Sequence, residues 1–143
     1  MARYMAGVES TRAPEDVFAY LSDFSTAAEW DPGVVEAQLL GEGPVGMGTR
    51  FRLVAVFMGR RTTLEYEVVE FDPPRSITFR GENATAISLD RLVFEPTAAG
   101  TRVVYDADLR FKGAWKAAEP LFALAFRRVG DRALEGMRRT IGT

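Results

Sequence analysis

The final stretch of the chain, Trp115 to Ile141, constrains the fold more than any other. On a helical wheel of about 100° per residue, Trp115, Ala118, Phe122, Ala125, Phe126, Val129, Ala133, Gly136 and Met137 share one face. Arg127, Arg128, Asp131, Glu135, Arg138 and Arg139 take the other, so one side seeks a core and the other seeks water. Pro120 suits a continuous helix that begins there, because a proline in the first turn loses no hydrogen bond; Trp115 to Glu119 then form a separate lead-in turn. The apolar face mixes Phe122, Phe126 and Met137 with Ala125, Ala133 and Gly136. Small residues on such a face either admit a close backbone or leave a hole.

A partner for that helix must come from the rest of the chain. At 143 residues and 47% hydrophobic content, the sequence makes one domain spanning residues 1–143, with a sizeable core. The net charge of -2 gives no global basic field to draw it to nucleic acid. With no Cys there are no disulfides and no thiolate nucleophile; with no His there is no imidazole base or ligand. No metal site and no cofactor are read from what remains. The start, MARYMAGVES, lacks a signal-type apolar core, and no run approaches the roughly 18 apolar residues of a membrane span, so a cytoplasmic protein is expected.

In chain order, Arg3 to Thr11 alternates as a strand, with Tyr4, Ala6 and Val8 on one side. Ala13-Pro14-Glu15-Asp16 then opens a short helix carrying Val17, Phe18 and Leu21. A second brief helix over Phe24 to Trp30 is stopped by Asp31-Pro32-Gly33. Alternating segments follow: Val34 to Leu40 with Val35, Ala37 and Leu39 on one face, Thr49 to Met58, Thr62 to Phe71, Arg75 to Gly81, Leu89 to Glu95 and Thr101 to Phe111. Gly59-Arg60, Asp72-Pro73-Pro74, Asn83 and Pro96 to Gly100 punctuate them. Connections this short make the sheet antiparallel, and the order of strand, helices, strands and long helix is an α+β layout.

These residues carry a resemblance. Ala13-Pro14-Glu15-Asp16-Val17-Phe18 with Asp23, Trp30-x-Pro32, the glycine hairpin before Thr49-Arg50-Phe51, the Glu70-Phe71-Asp72-Pro73-Pro74 turn, and Gly100-Thr101-Arg102-Val103 with Tyr105 together resemble the polyketide cyclase/dehydrase-like branch of the START/Bet v 1 (SRPBCC) superfamily. The resemblance covers nearly the whole chain. It implies a helix-grip fold: a curved antiparallel sheet of about six or seven strands, two short helices after the first strand, and a largely apolar cavity under the C-terminal helix. It leaves activity open, since cyclases, lipid carriers, hormone receptors and hydrolases share this fold.

Strand parity and the helix stripe nominate the lining of such a cavity. Leu53, Phe57, Tyr66, Ile77, Phe79, Leu92, Phe94, Tyr105, Leu109 and Phe111 face Phe122, Phe126, Val129 and Ala133, an aromatic and nearly uncharged surface suited to a small hydrophobic ligand, polycyclic or acyl. Parity that turns Leu92 and Phe94 inward turns Asp90 inward too, where burial would raise its pKa and make it a candidate base. Tyr66 and Tyr105 could then donate to a carbonyl or enolate. The competing reading leaves Asp90 in water at a strand end and the tyrosines as core. Gly41-Glu42-Gly43-Pro44-Val45-Gly46 matches a dinucleotide fingerprint, but a strand follows it where a helix is required, so it reads as a hairpin loop, or as part of a cavity mouth. The arginines of the last helix, Arg127, Arg128, Arg132, Arg138 and Arg139, read as a solvated face.

A hydrophobic-ligand binder is thus the expected function, a cyclase, dehydrase or isomerase the alternative, and a toxin- or stress-type interaction protein with a filled interior the third reading. On Thr49 to Met58, Val54, Val56 and Met58 also place apolar side chains on the outer parity. A homodimer through that outer face is the candidate cover.

Overall fold

The computed structural model describes residues 2–57 and 59–142, so Met58 and its part in the outer patch lie outside the described residues. Strand β1 (Ala2–Ser10) is followed by α1 (Pro14–Ser22), a 3-10 turn over Phe24–Thr26 and the short α2 (Ala27–Trp30). Six strands come next: β2 (Val34–Leu40), β3 (Arg50–Phe57), β4 (Arg60–Asp72), β5 (Ser76–Glu82), β6 (Ala86–Pro96) and β7 (Thr101–Phe111). A 3-10 segment over Gly113–Ala118 leads into α3 (Glu119–Ile141). All seven strands form one antiparallel sheet in the order β1-β7-β6-β5-β4-β3-β2, curved about α3 as the helix grip requires.

Local chemistry sets these boundaries. Pro14 opens α1 with Glu15 and Asp16 beside the positive end of the helix, and Val17, Phe18 and Leu21 are buried. Asp23 stops it and accepts the Ser25 backbone N–H at 3.1 Å, capping the 3-10 turn. Pro120 lies in the first turn of α3. Trp115 belongs to the 3-10 segment ahead of the helix, which breaks the wheel, and it is 47% exposed rather than part of the buried face.

Two bulges correct the strict alternation. The register of β2 against β3 shifts between Val34 and Glu36, so Val34 is buried while Val35 points to solvent, before Ala37 and Leu39 resume the inner face. In β4 the register shifts between Val68 and Glu70. That shift turns Phe71 inward to meet Phe18, with ring centroids 5.7 Å apart, and sends Glu70 to the outer face, where it accepts the Thr78 hydroxyl at 2.7 Å.

The two halves of α3 do different work. Its second half buries Gly130, Ala133, Leu134, Gly136, Met137 and Ile141 against β1 and α2. Here the small residues admit close neighbours. The Tyr4 ring lies on Gly130, where a Cβ would sit 2.5 Å from Cγ, and the Tyr4 hydroxyl donates to Asp131 Oδ1 at 2.8 Å. Gly136 lets the Trp30 carbonyl approach so closely that a Cβ would lie 1.6 Å from its oxygen. Beside this contact, α1 and the 3-10 turn plug one end of the grip with aromatic rings. Phe24 stacks on Phe79 at 4.1 Å and meets Tyr66 edge-on at 5.0 Å, and Phe18 meets Phe94 at 5.1 Å.

Candidate functional site

The aromatic plug fills one end of the grip and leaves the other open. A cavity of about 690 Å³ lies between the sheet and the first half of α3, within the size range of small-molecule sites. β3 and β4 supply Ala55, Phe57, Thr62, Leu64 and Tyr66, β6 and β7 supply Ala86, Ser88, Leu109 and Phe111, and α3 supplies Phe122, Phe126 and Val129. Phe122 forms the lid edge, its ring 5.0 Å from Phe111 and 5.9 Å from Phe57. Trp115, Arg60, Arg61, Asn83 and Thr85 stand at the rim. Asn83 fixes that turn by accepting the backbone N–H groups of Thr85 and Ala86, both at 2.9 Å.

Of the residues nominated from sequence as ligand-lining, Phe57, Tyr66, Leu109, Phe111, Phe122, Phe126 and Val129 surround this cavity. Leu53, Ile77, Phe79, Leu92, Phe94, Tyr105 and Ala133 do not. They face the same concave side, but Phe18, Phe24 and Trp30 from the early helices pack over that end and make it solid core. Parity assigns a face; it does not say where along a strand the space is filled. The glycine loop between β2 and β3 lies at the far end of β3 from the lining residues Ala55 and Phe57, so it forms no part of the cavity mouth.

Apart from the polar residues of the rim, the cavity meets a buried acidic cluster. Asp90 on β6 is 6% exposed and accepts the Ser88 hydroxyl at 2.9 Å. Burial pushes its carboxyl up to about 7, partly offset by that hydrogen bond and reinforced by Asp31 and Asp106. Asp90 stands behind Ser88, which itself faces the cavity. Asp31, which the sequence presents only as part of a turn, reaches the same space and accepts the Gly33 N–H at 2.9 Å. Burial raises it to about 6, against the pull of that backbone N–H.

The two tyrosines divide. Tyr66 lines the cavity, while Tyr105 is boxed by Tyr4 and Trp30, with ring centroids at 6.2 and 6.4 Å. Burial, with Asp90 next, raises both hydroxyls well above the ordinary tyrosine value and keeps them protonated donors. Gly81, opposite Tyr66 in the β4–β5 ladder, gives its ring room, because a Cβ there would lie 2.5 Å from Cε2. Asp106 and Asp108 remain on the outer face, paired with Arg3 at 2.9 Å and Arg110 at 3.7 Å. Among the described residues no group of three acidic side chains is placed to hold a metal ion, and no helix is long and apolar enough to cross a membrane.

A sheet closed over a long C-terminal helix, with an apolar cavity beneath the helix, defines a helix-grip protein. The chain belongs to the family described as polyketide cyclase / dehydrase and lipid transport, whose match runs over residues 1–142. Its fold is similar to that of a START superfamily protein from Mycobacterium smegmatis, at 15% identity and a TM-score of 0.80 over 99% of this chain and 98% of that one. A protein of Thermus thermophilus is similar at 21% identity and a TM-score of 0.77, covering 96% of this chain and 94% of that one. The di-domain ARO/CYC protein BexL matches at 17% identity and a TM-score of 0.75 over 99% of this chain and 50% of BexL, so one copy of the present fold spans half of it. No curated protein matches.

Proposed function

We propose that the protein binds and carries a small hydrophobic molecule, polycyclic or acyl, in the cavity under the first half of α3. The observation that carries this reading is the contrast within one concave face: rings fill the α1 end, whereas Leu64, Ala86, Leu109, Phe111, Phe122, Phe126 and Val129 surround open space. Apolar surface held open to water gains free energy when an apolar ligand covers it. An interaction module with a filled interior has no need of such a space. Val129→Trp places an indole in it and should weaken a neutral apolar dye such as N-phenylnaphthylamine by about tenfold or more, while stability changes by less than about 1.5 kcal/mol. Ala133→Phe is the contrasting variant. Ala133 is 1% exposed in solid core, so that ring should cost about 1–3 kcal/mol through overpacking and leave dye affinity in the folded protein unchanged. Equal dye binding by wild type and Val129→Trp would contradict the reading.

One arrangement favours an enzyme of cyclase, dehydrase or isomerase type as the second reading. Asp31, Ser88 and Tyr66 face one apolar cavity, and Asp90 accepts the Ser88 hydroxyl, which puts one raised carboxyl and a tyrosine donor in the cavity wall and a second raised carboxyl one hydrogen bond behind it. In that reading Asp31 or Asp90 accepts a proton and Tyr66 steadies the oxygen that gains charge. Self-association is a separate proposal. Val54 on β3 offers the outer patch, with the 38%-exposed Val56 at its border with the α3 groove, and a dimer through it should sediment as such at roughly tens of micromolar and dissociate in Val54→Lys with Val56→Glu. A wild-type monomer at that concentration would dismiss it.

A further inference from the structure

We infer that the ligand is an anionic amphiphile, held with its charged group at the cavity mouth and its apolar body inside. The inference rests on the cavity reading and adds to it the chemistry of the entrance. Beyond Phe57 and Val129 the cavity continues into a groove of about 600 Å³ between the β3–β4 hairpin and α3. Arg128 and Arg132, one helical turn apart, line the groove, and Arg60 and Arg61 stand at the adjoining rim.

None of these four guanidiniums makes an ion pair among the described residues. Arg3, Arg50, Arg75, Arg80, Arg102, Arg110 and Lys112 each pair with an acid. Among the described residues the groove lining contains no acid, and the only one in the cavity lining is Asp31, which accepts the Gly33 N–H. In a chain of net charge -2 this makes the mouth a local positive field against an acidic background. Guanidinium groups suit a carboxylate, sulfonate or phosphate because they present paired donors and keep their charge.

The apolar surface runs up to those charges. Leu121 and Leu124, 69% and 63% exposed, border Arg128 on α3, and Val56 faces them from β3. An amphiphile seated head-out would cover the leucines and set its anion among the arginines. A ligand seated the other way would place its anion beside Asp31 in the cavity wall, where the ionised carboxyl opposes like charge.

A matched pair of probes tests this. Anilinonaphthalene sulfonate and N-phenylnaphthylamine share one aromatic body and differ by a sulfonate. Wild type should bind the anionic probe about tenfold more tightly than the neutral one at low salt, a ratio set by charge-assisted contacts. The ratio should fall to about one in roughly 0.5 M NaCl, and also in Arg60→Gln/Arg61→Gln combined with Arg128→Gln/Arg132→Gln. The salt series on wild type gives the answer independently of how the variant folds. If the neutral probe binds and the anionic one binds no more tightly, the anionic-ligand inference is overturned and the cavity reading stands. A preference that survives both salt and the arginine replacements overturns it as well. If neither probe binds, the cavity reading fails and this inference with it.

Discussion

Gly136→Ala is expected to melt about 10 °C below wild type, because the methyl group would enter the Trp30 carbonyl at 1.6 Å. Backbone stands on both sides of that contact, so no side-chain rotation relieves it. Either α2 or the second half of α3 must move. The Trp30 ring, which packs on Phe24 and Tyr105, would move with its backbone. Overpacking typically costs about 1–3 kcal/mol and a backbone collision lies at or beyond the upper end. Gly142→Ala, at the residue that caps the same helix, is a useful comparison. Its Cβ would approach the Arg138 carbonyl oxygen at 2.2 Å, but at the C-terminal end of α3, where the last turn can yield. Thermal unfolding followed by circular dichroism measures both. A Gly136→Ala variant as stable as wild type would mean that α2 does not sit against α3 as described.

Asp90→Asn should stabilise the protein above neutral pH and make no difference in acid. The folded carboxyl is raised from 3.8 to about 7, above its unfolded value. Its contribution to stability is therefore fully present below the unfolded pKa and is lost as pH rises through about 7. At about 1.4 kcal/mol for each pH unit between the two values, the cost of the ionised form approaches about 4 kcal/mol. Asparagine keeps an oxygen to accept the Ser88 hydroxyl and carries no charge to bury. Asp31, raised to about 6, acts in the same direction over a lower window, so the wild-type curve should still fall with pH in the variant, but less steeply. Urea denaturation of both proteins at about pH 3.5, below the unfolded value, and at about pH 8 checks the sign. Parallel curves for the two proteins would show that Asp90 is not buried as a carboxylate. A buried acid that weakens the fold at neutral pH is a cost that ligand chemistry at Ser88 and Tyr66 would explain.

Which parts of the molecule were legible in the sequence follows from the range of the interactions involved. The order of elements was readable because turn residues and side-chain alternation are local: Pro14 with its acids, Asp31-Pro32-Gly33, and the alternation through Thr101 to Phe111 each act within a few residues. The bulges at β2 and β4 were not readable, since the register at Val34/Glu36 and Val68/Glu70 is decided by the partner strand. The helix wheel placed the faces of Phe122, Phe126 and Val129, but it missed Gly130, Leu134 and Ile141. Those three are buried because β1 and α2 flank the second half of α3 on a side the wheel assigns to its border.

The site divides along the same line. Inward parity points Asp90 to the concave face, and the structure buries it there, which raises its carboxyl to about 7. Asp31 and Ser88 went unnoticed. The first reads as a turn former, and the second belongs to the start of β6, which the alternation did not extend back to Ala86. The solid half of the expected lining, from Leu53 to Phe94 with Ala133, was assigned to open space because nothing local shows that Phe18, Phe24 and Trp30 return to fill it.

Open space under the first half of α3 should take an apolar ligand. Backbone amide chemical shifts recorded by NMR while N-phenylnaphthylamine is titrated in test it most directly. Saturable shifts at Leu64, Ala86, Leu109, Phe122 and Val129, with Ile77, Leu92 and Val103 unmoved, are the predicted result. Shifts confined to the Phe18 and Phe94 end or to the outer sheet face, or no saturable shifts at all, would contradict it.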